Sequence, residues 1–155
     1  MESYIPNIFD ILLSDVKSKD LHEDVSKKLG VHYLASIEQN DRDVIKGKVI
    51  GKNNRVFVCL TVEMNKQRRS VVFLVDTGAP HTHLCQEVFD SYRLENIPEN
   101  ISVKVEGRLH LVFVSPPSSH FDDINVLGMD FLRLCKAKLI IDCDNSEVDL
   151  ILQSF

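Results

Sequence analysis

One carboxylate in this chain stands where a charged group is costly to keep. Asp76 directly follows the apolar run Val71–Val75, which predicts a strand buried on both faces. A carboxylate at the end of such a strand needs partners or a shifted pKa, and groups held in this way are candidates for catalysis. Thr77 adds a hydroxyl that can donate and accept a hydrogen bond, and Gly78 allows a sharp turn that presents Asp76. The alternative interpretation is a simple polar turn at the end of a strand.

The elements around this turn are mainly short strands. Alternation of residues from Val56 to Met64 predicts a strand, and the turn Asn65–Arg69 returns the chain into Val71–Val75, so a hairpin delivers Asp76. Further short strands are predicted at 47–51, 101–105, 109–113, 139–142 and 148–152. Strands of this length and spacing are typical of a small closed barrel. Two short helices are predicted within it, Gln86–Arg93 with Val88, Phe89 and Tyr92 facing inward, and Asp130–Leu134.

Residues 1–45 are predicted to form a helical N-terminal extension, and residues 46–155 the barrel domain. A first amphipathic helix is expected over residues 7–16. A second is expected to begin at the capping-box spacing of Asp20 and Glu23 and to end at Gly30. We expect the extension to pack on the barrel. A contribution to a dimer interface and a remnant of a longer upstream region are the alternatives.

A second motif lies downstream of the first and reads Val126-Leu127-Gly128-Met129-Asp130-Phe131-Leu132. Hydrophobic residues followed by Asp-Thr-Gly-Ala, which here ends at Ala79, and then by this motif resemble the retropepsin-like aspartic proteases of retroviral and retrotransposon type. The resemblance covers roughly Val56 to Leu152. It implies a mainly β, retropepsin-like acid-protease barrel that hydrolyses peptide bonds without a cofactor.

The resemblance also implies a role for each residue of the two motifs. Asp76 is the catalytic residue of the expected site. The loop is supported by Thr77, which hydrogen-bonds across a two-fold axis, together with Gly78 and Ala79. A structural brace is formed by Leu127, Gly128 and Asp130.

The chemistry expected of such a site needs two carboxylates. Two carboxyl groups close together can share one proton and act as base and acid on water and a peptide bond. The chain contains a single Asp-Thr-Gly and is too short for two lobes. The expected enzyme is therefore a homodimer in which each subunit contributes one Asp76 and whose substrate is a polypeptide.

The alternative function is a non-catalytic dimerisation or peptide-binding module on the same barrel. Family members carry a mobile hairpin flap before the later barrel strands, but only Leu94–Asn100 is available here. If Ile101–Val105 and Leu109–Val114 are barrel strands, the flap is truncated or missing; if they form the flap, barrel strands are missing. Pro80 and Met129 also replace the acidic residue and the arginine that pair in retroviral members.

Composition excludes several other classes of function. The net charge of −5 lacks the footprint of a general nucleic-acid binder, and the basic cluster Lys66–Arg69 is interpreted as a solvated hairpin turn. Four cysteines without Cys-x-x-Cys spacing, and no signal peptide, predict reduced thiols in an intracellular, cytoplasmic protein. No apolar run has the length of a membrane span, so no membrane partner is expected.

A metal site is the remaining alternative. His81, His83 and Cys85 are predicted to share one face of a strand, and histidine and cysteine are zinc ligands. Polar residues on the exterior of the barrel are the preferred interpretation, and no metal is predicted.

Overall fold

The computed structural model describes residues 15–38, 41–115 and 122–153. All but the last two residues of the predicted first helix, 7–16, lie outside these ranges. Nine strands are described: β1 Val44–Ile50, β2 Arg55–Met64, β3 Gln67–Val75, β4 His83–Leu84, β5 Asn100–Val105, β6 Arg108–Val114, β7 Val126–Leu127, β8 Lys138–Asp142 and β9 Glu147–Ile151.

Six of the strands close into a barrel. Around the ring the order is β2-β3-β7-β4-β6-β5, and the ring closes because β2 pairs with both β3 and β5. A closed barrel leaves no free edges among its own strands. Outside the ring, β1 continues from β2, β9 pairs with β1, and β8 pairs with β9 at the end of the order. The predicted mainly β barrel is confirmed.

The β2–β3 hairpin is tighter than predicted. Asn65 and Lys66 have φ of 50° and 57°, which makes a two-residue turn that matches the twist of the strands. The predicted turn Asn65–Arg69 was therefore too long, because β3 begins at Gln67. The interpretation of the basic cluster as a solvated turn is confirmed for Lys66, which is exposed in the turn, but was wrong for Arg68 and Arg69, which lie in β3. Arg68 contacts Asp41 at 2.6 Å, and Arg69 Nη1 donates to the carbonyl oxygen of Leu34 at 2.8 Å.

In the described residues, helical structure is short and lies at three places. An N-terminal helical segment comprises α1 Ser18–Asp20, a π-helical turn Leu21–Val25 and α2 Ser26–Leu29; α3 is Gln86–Ser91 and α4 is Met129–Leu134. The N-cap is Lys17 and not the predicted Asp20, because Asp20 lies in the first turn and accepts a hydrogen bond from Lys17 N at 2.8 Å. The end of the segment at Gly30, with φ of +69°, is confirmed.

The hydrophobic core fills the barrel and continues under the helices. The prediction that Val88, Phe89 and Tyr92 face inward is confirmed, since each is fully buried. Leu21 and Val25 of the N-terminal segment belong to the same core. Within the predicted extension, the described helical residues end at Leu29, and Val44 and Ile45 already belong to β1, so both the helical extension over residues 1–45 and the division at residue 46 stay predictions. Among the residues described, no helix has the length and apolar character needed to cross a membrane.

Candidate active site

The loop after β3 is a tight turn built around Asp76. The Asp76 N–H donates to the carbonyl oxygen of Leu127 at 3.0 Å, and the Ala79 N–H donates to the Asp76 carbonyl oxygen at 3.1 Å. The Gly78 N–H donates to Asp76 Oδ1 at 2.9 Å. Asp76 is half-buried, whereas Thr77 and Gly78 are exposed. The carboxylate is thus fixed by one oxygen at the surface end of a buried strand.

The second motif lies directly against this loop. β3 and β7 run parallel, with Val75 opposite Leu127. Beyond β7, Met129 N donates to the Ala79 carbonyl oxygen at 2.8 Å and Asp130 N donates to that of Pro80 at 3.2 Å. At positions 80 and 129, where an acidic residue and an arginine pair in retroviral members, the two segments are therefore joined by backbone hydrogen bonds.

Gly128 is required by the close approach of the two segments. A Cβ atom at this position would lie 2.3 Å from the His81 carbonyl oxygen and 2.9 Å from that of Ala79. Its φ of −98° is ordinary, so the demand comes from space and not from backbone conformation. The arrangement has the form of the brace that the resemblance implied for Leu127 and Gly128.

Asp130 is joined to the exit of the loop through Thr82. The fully buried Thr82 donates from Oγ1 to Asp130 Oδ1 at 2.7 Å and from its backbone N to Oδ2 at 3.1 Å. The same hydroxyl accepts a hydrogen bond from Gly128 N at 3.1 Å. Asp130 also accepts from Phe131 N at 2.7 Å, and His110 Nε2 lies 3.2 Å from its Oδ2. This carboxylate works as a connector, which fits a structural role.

These contacts control the ionisation of Asp130. Burial raises its pKa, but the contacts from His110, Thr82 and the Phe131 N–H outweigh burial and lower the pKa to about 2. Asp130 is therefore ionised at neutral pH.

Replacing Asp130 by Asn is expected to remove a pH-dependent part of the stability. Because the folded pKa of about 2 lies below the unfolded value of about 3.9, this part is present above pH ~4 and is lost as the pH falls towards 2. The difference in the free energy of unfolding between wild type and Asp130→Asn should therefore shrink between pH 5 and pH 2 in urea titrations. Exposed Asp90 supplies the control variant Asp90→Asn. A difference that stays constant over this range would contradict the prediction.

The three residues of the alternative metal site, His81, His83 and Cys85, do not form one group. The prediction of one strand over His81–Cys85 was wrong beyond His83–Leu84, the two residues of β4. The ring centroids of His81 and His83 lie 4.9 and 5.9 Å from the ring centroid of Phe113. Cys85 is buried, with its Sγ 3.7 Å from the Tyr33 hydroxyl, so its placement on the barrel exterior was also wrong. Among the described residues, no group of three His, Cys, Asp or Glu side chains is arranged to hold a metal ion.

The pairing of β5 and β6 in the sheet shows whether these strands belong to the barrel or form a flap. β5 and β6 pair with each other over Asn100–Val105 and Arg108–Val114, and both belong to the closed ring. The fully described segment between α3 and β5 contains no strand. Of the two alternatives, the one in which these are barrel strands is confirmed, and no hairpin flap precedes them.

A surface depression continues from the loop towards the end of the sheet. It begins at Thr77 and ends at Leu139 in β8, and its other lining residues are Met129, Leu132, Arg133, Lys136 and Ala137. The depression therefore connects the presented turn to the edge strand.

The two motifs gave no prediction that Thr82, His110 and Asn125 belong to the site. All three are polar residues inside predicted barrel strands or beside the second motif, and Thr82 and Asn125 are fully buried. A buried polar residue needs a hydrogen-bond partner. The available signal was therefore that Thr82 and Asn125 are polar residues close in sequence to the two motifs.

Comparison with known proteins gives structural matches only. The chain is similar to a retropepsin-like aspartic protease from Rickettsia conorii, with 20% identity, a TM-score of 0.49, and coverage of 69% of this chain and 90% of that one. It is also similar to the retroviral protease-like domain of Ddi1 from Leishmania major, with 17% identity, a TM-score of 0.37, and coverage of 61% and 92%. No protein-family model and no curated protein matches.

Proposed function

We propose that the chain is one subunit of a homodimeric, retropepsin-like aspartic endopeptidase in which Asp76 is the catalytic residue. The observation that carries this proposal is the hydrogen bonding of the Asp76 carboxylate. Its Oδ1 accepts from Gly78 N, and its Oδ2 has no hydrogen-bond partner among the described residues. A half-buried carboxylate that a rigid turn presents with one oxygen free is suited to binding a proton or a water molecule.

The reaction needs a second carboxylate, which a two-fold axis supplies. One Asp76 accepts a proton from water as the water oxygen attacks the carbonyl carbon, while the protonated Asp76 of the other subunit donates its proton to the carbonyl oxygen. The C–N bond then breaks as the nitrogen takes up the proton that the first Asp76 accepted, while a hydroxyl group of the tetrahedral intermediate returns a proton to the other Asp76. In this proposed dimer, Thr77, which is exposed in the turn, would contact the partner subunit's Thr77.

The edge strand β8 is the surface that we assign to the dimer. Its second edge pairs with no strand in the described part of the chain. Ile140 and Ile141 are 51% and 42% exposed and point to opposite faces, so both sides of the edge are apolar. An open apolar edge is a template for pairing with another strand, and the depression described above joins it to Thr77.

The sequence of β8 is complementary to itself. In an antiparallel pair centred on Ile140, Lys138 lies opposite the partner subunit's Asp142, and opposite charges facing each other across strands are stabilising. Asp142 is exposed, and its pKa is lowered by the side chain and backbone N–H of Asn145, so it carries the negative charge that this register needs. The two-fold symmetry produces this ion pair at both ends of the strand.

Replacing Ile140 by Lys is expected to convert the dimer to monomers. Two like charges would then meet at the axis, and the dimer dissociation constant should rise by about tenfold or more, because direct like-charge pairs are destabilising and apolar burial is lost. Leu109, which is 65% exposed on β6, supplies the control variant Leu109→Lys. Sedimentation equilibrium measures both. Dissociation by Leu109→Lys but not by Ile140→Lys would exclude β8 as the interface.

The catalytic proposal is tested by cleavage of a degenerate peptide library at mildly acidic pH, over protein concentrations on both sides of the dimer dissociation constant. We expect activity to rise with the square of concentration where monomer predominates, since one subunit lacks a complete site. The second candidate is a non-catalytic dimerisation or peptide-binding module, which the absence of a strand between α3 and β5 favours. A stable dimer that cleaves nothing would support this second candidate.

A further inference from the structure

We propose that the N-terminal segment, residues 15–38, is part of the catalytic unit, and that Tyr33 is a positioning residue that holds the Asp76 loop through Asn125. The catalytic consequence rests on the proposed function. The effect on the loop itself does not depend on it.

The segment is built into the barrel and does not merely cover it. Leu21 is fully buried and Val25 is 3% exposed in the common core. Residues 34–37 run along β3, where Leu34 N donates to the Ser70 carbonyl oxygen and Ser70 N donates to that of Ala35, at 2.6 and 3.0 Å. These are backbone hydrogen bonds to the same strand that delivers Asp76.

Polar contacts fasten the other end of the segment. Ser18 donates from N to Asp123 Oδ2 at 3.0 Å and from Oγ to Glu87 Oε1 at 2.9 Å. His22 Nε2 lies 2.9 Å from Glu87 Oε2, and its ring packs 4.6 Å from that of Tyr33. The segment thus contacts α3 and the entrance to β7 as well as β3, and Tyr33 lies between them.

The contact that reaches the active site is between Tyr33 and Asn125. Asn125 Nδ2 donates to the Tyr33 hydroxyl at 2.7 Å and to the Val72 carbonyl oxygen at 3.0 Å. Both residues are buried, and burial raises the pKa of the Tyr33 hydroxyl, which therefore stays neutral and able to accept. The hydroxyl is one of two acceptors for this buried amide group.

Asn125 in turn joins the strands that frame the loop. Its Oδ1 accepts from Cys85 N at 3.0 Å, next to β4, and its carbonyl oxygen accepts from Leu74 N at 2.9 Å in β3. Two residues later, the Leu127 carbonyl oxygen accepts from Asp76 N. A shift of Asn125 would therefore move both the strand that ends in Asp76 and the motif that braces it.

The test is Tyr33→Phe in the full-length chain, with Tyr92→Phe as the matched control. Tyr92 is also fully buried and donates from its hydroxyl to the Val62 carbonyl oxygen, so its replacement by Phe removes a comparable bond elsewhere in the barrel. Amide hydrogen exchange is measured residue by residue in both variants. Removing the hydroxyl leaves a buried N–H of Asn125 without its acceptor, and local exchange should be accelerated by about tenfold or more.

In Tyr33→Phe we expect this acceleration at the amides of Leu74, Asp76 and Cys85. The reference amide is that of Val49, which donates to the Ser146 carbonyl oxygen outside the barrel ring, and its exchange should be accelerated less. Tyr92→Phe should not show this local excess. If the wild type cleaves peptides, Tyr33→Phe should also lower kcat about tenfold at nearly unchanged KM, whereas Tyr92→Phe should not.

Equal, uniform acceleration in both variants would overturn the proposal, since Tyr33 would then be only a stabilising residue. No local acceleration in Tyr33→Phe would overturn it as well. Because the exchange readout needs no substrate, a wild type without peptidase activity would contradict the proposed function and leave this test decisive.

Discussion

Replacing Asp76 by Asn is expected to abolish peptide cleavage, by a factor of about 10³ or more, while leaving the fold and the dimer intact. An amide side chain can neither accept a proton from water nor share one with the partner subunit's Asp76, so both the base and the acid are lost. The turn should persist, because Asn retains a side-chain oxygen that can accept from Gly78 N. Cleavage of the peptide library at mildly acidic pH measures the effect.

Two controls make this result specific. Thermal unfolding and sedimentation equilibrium should give the same values for Asp76→Asn as for wild type. Asp90→Asn, which removes an exposed carboxylate on α3, should cleave normally. Residual cleavage by Asp76→Asn at more than about a tenth of the wild-type rate would show that another group performs the chemistry.

Replacing Gly128 by Ala adds one methyl group, and we expect it to lower the stability more than any other such addition at the site. The new Cβ would lie 2.3 Å from the His81 carbonyl oxygen, 2.5 Å from its carbon and 2.9 Å from the Ala79 carbonyl oxygen. These are backbone atoms, which cannot move aside as a flexible side chain can. We expect the free energy of unfolding to fall by about 3 kcal/mol, at the upper end for overpacking, and the Asp76 loop to be displaced.

Gly30→Ala separates steric overlap from backbone strain. Gly30 has φ of +69° but no atom within 4 Å of its built Cβ, so this variant should lose only about 1 kcal/mol. Urea unfolding of both variants gives the comparison. A loss for Gly128→Ala no larger than that for Gly30→Ala would mean that the two motifs are less tightly packed than the structure shows.

Strand patterns were readable for two different reasons. In β5, buried Val103 and Val105 alternate with exposed Ser102 and Lys104. In β2 and β3, the runs Phe57–Val62 and Val71–Val75 are mainly apolar because both faces of these strands are buried, so the alternation expected from Val56 to Met64 is not an alternation of burial. The positions of Asp76 and Gly128 were visible for another reason. A carboxylate after a buried strand and a glycine between apolar residues make sense only if the chain turns or another segment approaches closely.

The network behind the motifs could not be read in the same way. Asn125 contacts Tyr33, and Thr82 contacts Gly128, across segments that are distant in sequence, and no local period encodes such contacts. The end of the β2–β3 turn was also misplaced. Arg68 and Arg69 look like turn residues by composition, but the left-handed pair Asn65 and Lys66 completes the turn alone.

The charges at the two ends of β8 also bear on solubility. A chain with an open, apolar edge strand risks stacking into fibrils, in which identical segments often lie parallel and in register. Such stacking would place Lys138 upon Lys138 and Asp142 upon Asp142, so every added molecule would increase repulsion. The proposed antiparallel pair would turn the same four charges into attractions and would leave no open β8 edge for a third chain. Neutralising both ends, as in Lys138→Gln with Asp142→Asn, should therefore shift this protein from a defined pair towards aggregation.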